Sequence, residues 1–504
     1  MEYPYLEKII SARVYDVADE TPLEIAPTLS SRVGNTVHLK REDLQPVFSF
    51  KLRGAYNKMS QLDEAAKSGG VIAASAGNHA QGVALSAQRM NIRSIIVMPK
   101  TTPHIKVASV KRYGSEVILH GNTYDEAYLH ARGIAEENGM TFIHPYDDPE
   151  VIAGQGTVAM EFVRQHPGHI DAVFVPVGGG GLIAGICAFI KRIRPETKII
   201  GVEPDDAACL HEALKADERV VLDSVGIFAD GVAVRQIGEE PFRVVKDCVE
   251  EVVLANTDEI CAAIKDVFDD TRSVCEPAGA LAVAGLKKYV AANQITGHTF
   301  VAIVSGANMN FDRLRYVSER AELGENRETL LAVTIPEEPG SFRKFCHAIG
   351  QRNITEFNYR FSDKSQAHVF AGIQIKNGGT EQENLLKRLA KHDYPVLNLS
   401  DNEMAKSHIR YMVGGHSHGV ENEVIYRFIF PERPGALLRF LMHMSLQWNI
   451  SLFHYRNHGA AYGRILVGIQ VPPEEHDEFQ AFLVKLEYPY WEETHNPAYN
   501  LFLG

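Results

Sequence analysis

From residue 70 onward, short and mostly apolar runs alternate with helix-spaced segments. The runs are 70–74, 94–98, 116–119, 172–177, 198–202 and 300–304, and the segments between the first of them, 78–90, 103–113 and 123–138, read as helices. A strand with no polar face must be covered on both sides, so this alternation predicts parallel sheets buried between helices. In sheets of this kind the active site lies beyond the carboxyl ends of the strands. Three polar or glycine-rich stretches stand there: 75–80, 178–182 and 305–308. Upstream, residues 1–20 read as helical, an extended segment starts at Thr21, and 37–40 reads as a short strand.

The chemistry-bearing candidate is Lys51, flanked by Phe50 and Leu52 at the start of a helix-spaced segment. Lysine is rarely buried unless paired or reacted. A desolvated primary amine loses basicity and becomes able to form an imine with an aldehyde. An amphipathic surface helix through Lys51 and Lys58 is the alternative for that stretch alone. Gly178, Gly179, Gly180 and Gly181 lead from an apolar strand into Leu182. Such a run lets backbone amides and a helix N-terminus converge on an anion. The Gly-Lys-Ser/Thr ending of a nucleotide-binding loop is missing, which suits a static phosphate. Gly154, Gly156 and Ala159 fit a relaxed dinucleotide pattern, but no apolar strand precedes them.

Four motifs occur in order: Ser-Phe-Lys-x-Arg-Gly-Ala, Ser-x-Gly-Asn-His-Ala-Gln-Gly, Gly-Gly-Gly-Gly-Leu and Ser-Gly-Ala-Asn. Together they resemble the fold-type II enzymes that use pyridoxal 5′-phosphate (PLP), and among them the biosynthetic threonine ammonia-lyases. The resemblance runs from about residue 10 to the C-terminus. It implies an α/β catalytic region of two open parallel-sheet lobes. It implies that Lys51 carries the cofactor, that Asn78 bonds its ring oxygen, and that 178–182 hold its phosphate. Ser305 then faces the pyridine nitrogen, a hydroxyl where a carboxylate would keep the ring protonated, which favours β-elimination over transamination. Ser75, Ala76, Gly77 and Asn78 surround the substrate carboxylate, as helix-terminal amides suit an anion. His79 reads as a structural neighbour, and 230–233 as a further cofactor-side loop. Glu203 resembles the start of a cation site in serine racemase relatives, but Cys209 stands where an acid is wanted. His416-Ser417-His418 lies in a glycine-rich loop and is not expected to ligate a metal. No transition metal is expected to be required.

Near residue 318 the alternation stops, and the charged stretch 319–329 reads as a linker. Beyond it the chain repeats itself. Residues 331–340 parallel 426–435, Phe357-Asn358-Tyr359-Arg360 parallels Phe453-His454-Tyr455-Arg456, and 372–375 parallels 468–471. The offset of 95 residues (331 to 426) becomes 96 (357 to 453) after one insertion near Trp448. Each copy reads strand, Pro-Gly turn, helix, strand, hairpin, strand, a ferredoxin-like order. The expected domains are 1–318, two modules at 330–400 and 421–504, and a connector at 401–420. The modules resemble the ACT-like units that end biosynthetic threonine deaminases. That implies isoleucine as inhibitor and valine as its antagonist, with Tyr359, Arg360, Tyr455 and Arg456 at matching places as effector-site candidates. Arginine can clamp a carboxylate bidentately and tyrosine can line an apolar pocket. Two purely structural dimerisation modules are the alternative. The family further implies a homotetramer.

A formal net charge of −13 over 504 residues argues against a nucleic-acid surface. The six cysteines include no Cys-x-x-Cys pair and read as reduced thiols of a cytoplasmic protein. No secretion signal and no membrane-spanning run is expected. The function implied is deamination of L-threonine to 2-oxobutanoate and ammonia. A broad L-serine/L-threonine dehydratase, or a non-catalytic amino-acid sensor that kept the fold, are the alternatives.

Overall fold

The computed structural model describes residues 5–503 except 377, 432–435, 444–447, 457–461 and 487. The chain divides into two compact units, Met1–Ala321 and Glu322–Gly504.

The first unit contains two open sheets. The larger has six strands, ordered Leu23–Ile25, Thr36–Arg41, Thr299–Val304, Ala172–Pro176, Lys198–Pro204 and Glu251–Ala255. All its pairings are parallel except that of the edge strand Leu23–Ile25. The smaller sheet has four parallel strands, ordered Glu116–Leu119, Ser94–Met98, Val71–Ala74 and Thr141–Phe142. The apolar runs are buried along their length in Val71–Ala74, Ser94–Met98 and Ala172–Pro176. The helices Asn78–Met90 and Tyr124–Asn138 lie where the 3.6-residue spacing places them.

The N-terminus differs from its expectation. Among the described residues of this stretch helix covers Tyr5–Ile10, and turns follow. Tyr5 and Ile9 pack into the larger lobe's core, whereas Pro22 and the short apolar spacing give no continuous face beyond residue 10. The strand Glu251–Ala255 was not legible because only one side of it is fully buried, so its sequence mixes charge with valine.

The helix Lys51–Ser60 crosses Pro149–Gln165 at very short range. A Cβ added at Gly54 would lie 2.7 Å from Val151 O, and one at Gly154 would lie 2.7 Å from Arg53 O. The glycines of the dinucleotide-like pattern therefore serve helix packing. Beneath this crossing, Arg53 is fully buried between Glu42 and Glu161, which also engages Lys40 at 2.6 Å. The two carboxylates and two cations fasten the Lys51 helix to both the strand Thr36–Arg41 and the helix Pro149–Gln165.

The second unit is one eight-stranded antiparallel sheet. Its order is Val396–Asn398, Glu328–Pro336, Gln366–Gln374, Ile354–Arg360, Asn449–Arg456, Tyr462–Gln470, Glu423–Pro431 and Tyr490–Glu492. The two halves mirror each other about the Ile354–Arg360/Asn449–Arg456 junction, where Glu356 pairs with Arg456 and Arg360 with Leu452. Both halves carry a bulge at the repeat-equivalent place, between Ile354 and Glu356 and between Ile450 and Leu452. The first half completes a β-α-β-β-α-β order with helices Ser341–Ile349 and Gly378–Ala390. The stretch read as a linker is largely regular: the helix Arg313–Gly324 runs into it and a strand begins at Glu328. The second copy's Pro-Gly turn at 432–435 lies outside the described residues.

Candidate active site

Lys51 is the first residue of its helix, after Phe50. Two backbone bonds tie the approach to the 305–308 loop: Phe50 N donates to Ser305 O at 3.3 Å and Ala307 N donates to Phe48 O at 2.8 Å. Phe48 adopts φ 57°, a left-handed conformation that costs a non-glycine residue and persists only where its surroundings hold it. The partly buried Lys51 amine donates to Pro145 O at 3.2 Å. Burial drives its pKa from 10.5 down to about 8, against the opposing pull of Glu276. This is the environment in which an amine turns nucleophilic near neutral pH.

Asn78 opens the helix Asn78–Met90, and Gly77 occupies the cap position. Its side chain does not cap the helix. Nδ2 donates to Glu276 Oε1 at 2.6 Å, and Oδ1 accepts from Asn308 Nδ2 at 2.7 Å. Of the neighbouring amides, Ser75 N is spent on Val97 O and Gly77 N on Ser75 Oγ. Ala76 N, Asn78 N and the Ser75 hydroxyl are thus the donors for an anion there. His79 is buried, with Nε2 at 2.9 Å from Ile143 O, and burial first, then Lys51, hold its pKa down at about 3.

Within the glycine run Gly180 is the cap of the helix Gly181–Ile193, with φ 90° and no capping side chain, and Gly181 is the helix's first residue. The run has no room for side chains. A Cβ at Gly179 would fall 2.1 Å from the Tyr146 ring and one at Gly178 2.9 Å from Val232 Cα. The backbone therefore lines the loop, and Leu182 is buried behind it. Ser305 is buried and its hydroxyl donates to Ala278 O at 3.2 Å. A hydroxyl rotates about its C–O bond, so it can turn from that carbonyl to donate into the cleft. The loop led by Asp230 joins the same site: a Cβ at Gly231 would lie 3.5 Å from Glu276 Oε1.

Two groups at the site were missed. Glu276 stands in Cys275-Glu276-Pro277, and a lone acid before a helix-starting proline in an apolar stretch was its signal. Tyr146, its pKa raised to about 12 by burial, had no signal, since its role comes from packing on Gly179. Glu203 and Cys209 do come together, but Glu203 accepts from the amides of Leu210 and His211 at 2.8 Å each and so caps the following helix. Among the described residues, no group of three or more His, Cys, Asp or Glu could hold a metal ion.

An amine of lowered basicity, a backbone-lined loop at an uncapped helix start and a buried hydroxyl at a strand end fit an aldehyde-bearing aromatic phosphate. Residues 14–306 match the family model of pyridoxal-phosphate dependent enzymes. Residues 319–409 and 414–503 match the C-terminal regulatory domain of threonine dehydratase. The biosynthetic L-threonine dehydratase of Burkholderia multivorans is 58% identical over 505 residues, covering 100% of this chain and 99% of that protein. The chain belongs to the biosynthetic threonine dehydratases. The Escherichia coli member of this family is 52% identical over 99% of this chain and 97% of its own length. The solved processed form of threonine deaminase isoform 2 from Solanum lycopersicum is similar at 52% identity and TM-score 0.62, over 63% of this chain and 92% of that one. As a threonine dehydratase family member, the chain uses PLP as its cofactor.

Proposed function

We propose that the protein deaminates L-threonine to 2-oxobutanoate and ammonia, the first step of isoleucine biosynthesis. The observation that carries this reading is the Lys51 amine, held at lowered basicity at the start of a helix whose approach is bonded to the Ser305 loop. Lys51 would hold the cofactor covalently, 178–182 its phosphate, and Asn78 and Ser305 its ring. Bound, PLP supplies an electron sink that acidifies the substrate's Cα–H.

The chain's own groups do the rest. Ala76 N, Asn78 N and the Ser75 hydroxyl bind the substrate carboxylate and orient Cα–H toward Lys51. A neutral Lys51 amine takes that proton; with a pKa of about 8 a useful fraction is neutral at physiological pH. Ser305, unlike an acid, leaves the ring nitrogen unprotonated, which favours loss of the β-hydroxyl over transamination. The unsaturated amine that leaves tautomerises and hydrolyses in water. Formation of equal amounts of 2-oxobutanoate and ammonia from threonine tests the reading; a protein loaded with PLP that leaves threonine unchanged contradicts it.

The second unit is proposed to be regulatory, with isoleucine inhibiting and valine antagonising. Tyr359 and Tyr455 are both buried. Tyr359 donates to Glu337, and Arg360 is engaged by Glu423 and by the carbonyls of Gly415, Ser451 and Leu503. An effector carboxylate at Arg360 therefore has to compete with Glu423. The side chain of Arg456 lies outside the described residues. A homotetramer and a cytoplasmic location complete the proposal; among the described residues no helix is long and apolar enough to cross a membrane.

A further inference from the structure

Glu276 is a buried acid in the cleft that the reaction above does not use. It precedes the helix Pro277–Asn293 without capping it through its side chain, and it is 4% exposed. Its Oε1 accepts from Asn78 Nδ2 at 2.6 Å, and the backbone N–H of Asn308 also bonds to it. Its own N–H donates to Gly306 O at 3.1 Å. The surroundings are shaped around this carboxyl, since a Cβ at Gly306 would stand 2.6 Å from Oε1.

Three charged groups face it from three elements. Lys51 stands at the start of its helix, and the residues leading into it, Phe48 and Phe50, bond to the same 305–307 segment that Glu276 bonds through Gly306; Glu276 opposes loss of the ammonium charge there. Asp230 lies on the turn Asp230–Val232, and Lys106, on the helix His104–Lys111, pairs with Asp230 at 2.7 Å. Burial first, then Asp230, push the Glu276 carboxyl up to about 7, while Asn78, Lys106 and the Asn308 amide pull it down. Burying an acid is costly, and a buried acid is kept where its charge or its bonds are used.

The Asn78 amide shows what the bonds do. Asn308 donates to Oδ1 and Glu276 accepts from Nδ2, so the amide cannot flip, and one Nδ2 hydrogen stays unspent. We propose that Glu276 is the positioning residue of the Lys51 site: its carboxylate stabilises positive charge on the Lys51 nitrogen and locks the Asn78 side chain beside it. This rests on the reading of Lys51 as the cofactor-bearing lysine.

The test is a pH titration of the visible absorbance of the holoenzyme, which reports the proton on the lysine-linked nitrogen whether or not the enzyme turns over. Removing an adjacent negative charge must lower the midpoint. Glu276→Gln is expected to lower it by about one pH unit, equivalent to about 1.4 kcal/mol. Glu276→Ser, which removes the acid and supplies a good helix cap, is expected to do the same if the Gln variant does not fold. Glu276→Asp, which keeps the charge, is expected to stay within about 0.3 unit of the unmutated protein. An unmoved midpoint in a folded Gln or Ser variant overturns the proposal. A fall of equal size in all three variants also overturns it, because packing rather than charge would then be responsible. An unmutated protein with no visible band that depends on Lys51 overturns this inference together with the reading it rests on.

Discussion

Among single residues, the Lys51 amine carries the proposed chemistry. Lys51→Ala should lower threonine turnover at least about 100-fold, the usual worth of a positioned acid–base group, and leave the far-ultraviolet circular dichroism unchanged. The pH dependence of cofactor capture by the apoprotein is a second check. Only a neutral amine attacks an aldehyde, and burial brings Lys51 down from 10.5 to about 8. The capture rate should therefore rise with pH and level off above about 8; a rate still climbing above pH 10 would contradict the buried environment. Asn78, the glycine run and Ser305 stand in motifs that follow apolar strands, where the fold puts chemistry, and Lys51 opens a helix whose approach is bonded to the Ser305 loop. Glu276 and Tyr146 were not legible in the sequence, since each meets its partner only in three dimensions: Glu276 reaches Asn78, 198 residues earlier in the chain, and Tyr146 covers Gly179.

At the element scale, the glycine run and the Lys51 helix are set by what lies against them. Gly179→Val puts branched carbons where the Tyr146 ring already stands, 2.1 Å from the first added atom. It should displace either the ring or the loop, and PLP content after dialysis should fall; full occupancy would refute the loop's assignment. The Lys51 helix is pinned by Arg53 between two buried carboxylates. Arg53→Ala leaves Glu42 and Glu161 without that cation, and a broken buried pair costs about 3–5 kcal/mol. Urea unfolding of the first unit should show a loss of that size, and a change within about 0.5 kcal/mol would show that the pair contributes little. The sequence revealed the mostly apolar strands, because a continuous run is a local signal, and the repeat, because it recurs at a nearly fixed offset. It did not reveal that the helix Arg313–Gly324 continues through a stretch so charged, where Arg320 pairs with Asp258, or that the two modules share one sheet. That junction depends on register between strands about 95 residues apart, which no local pattern encodes.

At the scale of the whole molecule, catalysis and its control belong to separate units. Coupling of about 1–3 kcal/mol would shift apparent threonine affinity roughly 5- to 150-fold on adding isoleucine. Arg360→Ala should blunt that shift while sparing activity without effector, and an unchanged isoleucine response would remove Arg360 from the effector site. Light scattering should give the mass of four chains, and a monomer at assay concentration would end the tetramer proposal. The central claim is that Lys51 carries PLP and that threonine is the substrate. Its most direct test is the visible absorbance spectrum of the purified protein before and after threonine, with Lys51→Ala alongside. The expected result is a cofactor band that threonine perturbs as 2-oxobutanoate accumulates, and no lysine-linked band in the variant. A band that survives in Lys51→Ala, or one that threonine leaves unchanged, would contradict it.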